Sequence, residues 1–188
     1  MKFVFNDRKT AQAAAYLLKR HDGSLPYIVL IKLLYLADRQ SLLDRGYPIT
    51  GDRMVSMPKG PVLSEVLNLI SYGSFQEVKT SSAWFEYVSD PVQYEVALAT
   101  QDPDQDELSR NEIGLLDQIY EQYGKMDRWA LVEFTHHLPE WTDPQGSSLQ
   151  IRPEEILLGA GRSQDEVTRL SADADEHWNF SQALARHR

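Results

Sequence analysis

The chain contains no cysteine among its 188 residues. That absence removes thiol nucleophiles, iron–sulfur clusters, thiolate zinc sites and disulfide staples together. It also lacks any apolar run of about 18 residues, the length a membrane-spanning helix needs. The opening Met1–Asp7 stretch has only three apolar residues in a row, Phe3-Val4-Phe5, too short for a signal-peptide core. A cytoplasmic location is therefore expected. No Gly-x-Ser-x-Gly elbow is present, and the serines fall in caps and loops. Gly159-Ala160-Gly161 lacks the third glycine of a dinucleotide loop, and no HExxH pattern occurs. The sequence offers no recognisable catalytic centre and implies no cofactor.

What is present resembles an ordinary globular domain, with 42% hydrophobic and 25% charged residues. The net charge of −9 is unevenly placed: residues 1–100 carry 11 basic and 10 acidic side chains, residues 101–188 carry 8 and 18. An acidic second half repels phosphate backbones, which argues against a DNA-binding autorepressor or any nucleic-acid ligand. The same half favours encounter with a basic partner, although acidic runs commonly serve only as solvated surface.

Apolar periodicity predicts a helix over Thr10–His21 and a stop at Asp22-Gly23, followed by Ser24 as an N-cap with Pro26 just inside the next helix. Tyr27–Ala37 is apolar at ten of eleven positions, interrupted only by Lys32. A helix apolar on nearly every side is covered on most sides, so this is the expected central helix. Arg53–Met57 reads as a short strand and Pro58-Lys59-Gly60-Pro61 as a rigid turn, with Pro61 opening a helix that buries Val62, Val66, Leu69 and Ile70 and stops at Tyr72-Gly73. Trp84–Val88 and Tyr94–Leu98 suggest a hairpin.

Ser109 with Glu112 forms a capping box for a helix burying Ile113, Leu116, Tyr120 and Tyr123. Asp127 caps the next helix, with Ala130, Leu131, Phe134 and Leu138 facing inward, and Pro153–Leu158 is a short helix closed by Gly159. Ser163 and Glu166 begin a last helix with Val167, Leu170, Ala174 and Trp178 on its inner side, read as a peripheral appendage or a dimer arm. The expected class is α+β, predominantly α-helical, a helical core around a buried central helix with a small antiparallel β element.

His136-His137, with Glu133 one helical turn away and Glu140 and Asp143 nearby, is the one cluster that suggests a metal. A small metal-dependent hydrolase using His136, His137 and Glu133 is thus the alternative function. A third ligand at fixed spacing is missing, so the structural reading is one histidine bonding a helix end near Pro139 and the other in solvent. Trp141 is either a lid on the core or a binding anchor, and the lid is favoured.

Lys32-Leu33-Leu34-Tyr35-Leu36-Ala37-Asp38, Pro58-Lys59-Gly60-Pro61-Val62, Tyr123-Gly124, Thr135-His136 and Pro139-Glu140-Trp141 occur in the order of the Panacea domain. The chain therefore resembles that family of SocA-like antitoxins and phage-associated GepA-type bacterial proteins over Asp22–Leu158. Lys59 replaces a common tyrosine, and Glu140 separates a proline and tryptophan that are usually adjacent. The resemblance implies a non-enzymatic antitoxin that binds a toxin encoded beside it, in some members as an adaptor delivering the toxin to a protease. It assigns residues 1–160 to the domain and 161–188 to a helical extension. Lys32, Tyr35, Lys59, Gly60, Pro61, Val62, Thr135, His136 and Trp141 become its structural or partner-binding residues. For His136 the expectation is a buried imidazole that hydrogen-bonds backbone near the Lys59-Gly60-Pro61 turn.

Overall fold

The computed structural model describes residues 1–72 and 76–185. Helix α1 (Asp7–Arg20) starts a turn earlier than its apolar period, because the Asn6 side chain accepts from the Lys9 N–H at 2.9 Å and caps it. Ala11, Ala14, Ala15 and Leu18 are fully buried on it. Ser24 is not a helix cap: it lies in strand β1 (Ser24–Pro26), and Pro26 precedes the central helix α2 (Tyr27–Arg45) without a side-chain cap.

In α2, Leu30, Leu33, Leu34 and Ala37 are at most 1% exposed. Its all-round apolarity has a direct cause, since helices and strands from both halves of the chain pack around it. Gly46, with φ +82°, ends α2 in the left-handed conformation and returns its N–H to the Leu42 carbonyl.

Strand β2 (Met54–Met57) turns through Pro58-Lys59 into β3 (Gly60–Leu63), pairing Met57 with Gly60 and Met54 with Leu63. Pro61 and Val62 thus belong to a strand and do not open a helix. Proline is tolerated there because β3 is the edge of the sheet order β3-β2-β5, where its missing N–H breaks no ladder. The helix begins only at α3 (Ser64–Tyr72), with the Asp52 carboxylate accepting the Glu65 and Val66 N–H groups at 3.0 and 3.1 Å. Gly73, expected as its stop, lies outside the described residues.

After α4 (Gln76–Ser81), the expected hairpin is replaced by a helical turn, α5 (Trp84–Tyr87), and a strand, β4 (Glu95–Ala97). Asp7 organises the turn by accepting the Ser82 hydroxyl at 2.6 Å, and Trp84 is buried at 1% exposure. Of the hairpin, two isolated bridges remain, Val88–Leu98 and Val92–Glu95, while β4 pairs antiparallel with β1. Tertiary burial has overridden local β propensity.

Helix α6 (Arg110–Tyr123) has the Ser109–Glu112 capping box, and α7 (Arg128–His136) is capped by Asp127. Leu115 and Ile119 join Leu116 and Tyr120 on the buried side of α6, leaving Ile113 and Tyr123 half-buried. Ala130 on α7 is exposed, contrary to expectation, because Leu131, Val132 and Thr135 form the inner stripe. Strand β5 (Leu149–Ile151) pairs with β2, and α8 (Pro153–Gly159) leads to α9 (Gln164–Ala185). Helix α9 rests on α8 through buried Val167, and Leu170 lies so close to Gly46 that an added Cβ would meet its Cδ2 at 2.7 Å.

Candidate functional site

Lys32, Tyr35, Asp38 and Arg39 lie along one side of α2 and bond segments distant in sequence. Lys32 is 1% exposed and its Nζ donates to the Pro61 carbonyl at 2.7 Å, while burial pulls its pKa down to about 7. Gly60 makes this approach possible. Its φ is +87°, and an added Cβ would stand 2.5 Å from Thr135 Oγ1 and 2.8 Å from Lys32 Nζ. Thr135 is fully buried and donates to the Val132 carbonyl at 2.8 Å. Val62 fills the core beside this turn at 6% exposure.

His136 also reaches the turn, its Cδ2 3.3 Å from where a Gly60 Cβ would be. The expected backbone hydrogen bond is not made: the ring is only half-buried, and Nε2 is buried with no partner. The connection is aromatic instead. The ring stacks on Trp141 at 4.2 Å with 26° between planes, and Trp141 Nε1 donates to the Met57 carbonyl at 3.2 Å. Trp141 is thus a lid that fastens the loop after α7 to β2.

Three carboxylates that sequence reasoning did not assign complete this seam. Glu140, its side chain wholly buried, accepts from the Tyr35 hydroxyl at 2.8 Å and from Arg39 Nε at 2.7 Å. Burial and the Glu140 carboxylate push the Tyr35 pKa well above its usual value. Asp38 is fully buried and receives the Ile49 and Thr50 N–H groups at 2.9 and 3.0 Å and the Thr50 hydroxyl. Its pKa is pushed up to about 7 by burial, against the pull of those donors. Asp52, which caps α3, is raised to about 6 for the same reason. The cue in the sequence is that residues 32, 35, 38 and 39 share one side of α2 at helical spacing.

Residues 30–142 match the family model described as antitoxin SocA-like, Panacea domain. The chain belongs to this family. No curated protein and no solved structure matches it. The matched span holds every residue of the seam from Lys32 to Trp141.

The Panacea seam does not assemble the metal ligands considered from sequence. Glu133 approaches His136 Nδ1 at 4.0 Å and His137 Nε2 at 3.8 Å, and His137 Nδ1 bonds the Glu133 carbonyl at 2.8 Å. Glu140 is engaged by Tyr35 and Arg39, and Asp143 accepts the Gln145 N–H at 2.8 Å. Among the described residues no group of three or more His, Asp and Glu is placed to hold an ion, and no helix is long and apolar enough to cross a membrane. A cavity of about 480 Å³ lies between the N-terminal segment, Tyr47 and α9, and none of the seam residues lines it. Lys59 is exposed at the hairpin tip, its Nζ 5.7 Å from the Trp129 ring centroid.

Proposed function

We propose that this Panacea domain is a bacterial, cytoplasmic antitoxin that neutralises a toxin encoded beside it by direct protein–protein contact. The observation that carries the reading is the antitoxin family match over residues 30–142. The seam is consistent with it: Lys32, Tyr35, Asp38 and Glu140 are spent on internal bonds, leaving the molecule to act through its surface. The acidic second half, with 8 basic and 18 acidic side chains over residues 101–188, would steer a toxin of net positive charge and make association salt-sensitive. Residues 1–160 form the recognition domain in this reading, and 161–188 an extension able to join two copies. A protease adaptor role is the alternative route to the same outcome. The test is co-expression with the product of the adjacent gene. Restored growth and co-purification are expected; failure of both would sink the proposal.

A further inference from the structure

Trp129, the second residue of α7, is 52% exposed, whereas Trp84 is 1% exposed and Trp141 and Trp178 are half-buried. Its position is fixed from below. The Asp127 carboxylate accepts the Trp129 N–H at 2.9 Å, and α7 is held to the hairpin by Thr135 and His136 around Gly60.

Two cations flank the ring, Lys59 Nζ at 5.7 Å and the Arg128 guanidinium at 5.4 Å from its centroid. Arg128 and Lys125 also line a cleft of about 360 Å³, together with His21. Lys59, Lys125 and Arg128 are all exposed, and none forms an ion pair among the described residues. By contrast Arg8, Lys19 and Arg20 on α1 each find a carboxylate. The acids closest in sequence are occupied: Asp127 caps α7, and Glu133 turns toward His136 and His137. Two exposed cations free of ion pairs thus flank an exposed Trp, and Lys125 shares a cleft with one of them.

We infer that Trp129, with Lys59, Lys125 and Arg128, is the docking point for an acidic segment of the toxin. Toxin carboxylates pair with the three cations, and an apolar toxin side chain lies on the indole. The assignment rests on the antitoxin reading. Trp and Arg are the residue types that dominate protein interfaces, and rigid support beneath them lowers the entropy lost on docking. A local acidic segment is compatible with a toxin of net positive charge. Net charge governs the approach, while contacts shorter than the Debye length, about 8 Å at physiological salt, govern the docked state.

The experiment uses the full chain and the adjacent gene product. Binding is measured for wild type, Trp129→Ala, the double variant Lys59→Glu/Arg128→Glu, and Phe180→Ala as an exposed control on α9. Trp129→Ala should weaken binding by at least about tenfold and the double reversal further, with Phe180→Ala unchanged and all melting like wild type. In the wild-type complex Trp129 should also be protected from hydroxyl-radical labelling, a readout that needs no variant. Wild-type affinity in both patch variants, or tighter binding by the reversal, overturns the inference while leaving the antitoxin reading intact. A wild-type chain that neither binds nor rescues brings down both.

Discussion

Lys32→Met isolates the buried amine at the centre of the seam. Burial lowers the folded-state pKa from 10.5 to about 7, whereas the unfolded chain keeps the ordinary value. Between those two values the unfolded state binds the extra proton, so this group makes stability rise with pH through that window. Below the folded value both states carry the proton and its slope vanishes. The limiting slope is about 1.4 kcal/mol per pH unit, which makes the full depression worth roughly 5 kcal/mol. Methionine keeps most of the length, removes the titration, and gives up the 2.7 Å bond to Pro61, worth about 1–3 kcal/mol. The assay is urea unfolding of both proteins at pH 7, 8 and 9. Wild type should gain about 2–3 kcal/mol over the variant across that range. Asp38 and Asp52, raised to about 7 and about 6, are shared by both proteins and largely cancel in the difference. Parallel profiles for the two proteins would refute the reasoning.

Leu34→Ala, at a site 1% exposed in α2, should destabilise by about 2–5 kcal/mol and lower the melting temperature, because it removes burial and leaves a cavity. Gly60→Ala should cost more than Gly23→Ala in denaturant unfolding: both glycines have positive φ, but Gly23 has nothing within 4 Å while Gly60 is hemmed in by Thr135 and Lys32. Glu140→Ala should cost about 3–5 kcal/mol by stranding Arg39 and the Tyr35 hydroxyl, and an unfolding midpoint like wild type would show that the pair is dispensable.

Much of the helical frame was readable from local pattern. The run Tyr27–Ala37 identified the central helix, and Ser109–Glu112, Asp127 and Ser163–Glu166 marked three helix starts. Such signals are contained within a few residues. Features that depend on distant partners were not readable. β1 is only three residues long, and its partner β4 lies beyond four intervening helices. Pro61 looked like a helix start because nothing local distinguishes that role from an edge strand. The seam was half legible: the family pattern named Lys32, Gly60, Thr135 and His136, and the structure brings them together at one turn. In the sequence Glu140 reads only as an interruption of the motif or a neighbour of the histidines, since its partners Tyr35 and Arg39 lie more than 100 positions away. Nothing in the sequence around Trp129 marks it as exposed, because its exposure depends on where α7 docks.

The central claim, neutralisation by direct contact, is tested most directly with two purified proteins. The adjacent gene product is assayed for its own toxic activity while this protein is titrated in, with no protease or nucleic acid added. The account predicts inhibition that is complete at stoichiometric addition and weakens as salt is raised. Full toxin activity in the presence of saturating antitoxin would contradict it.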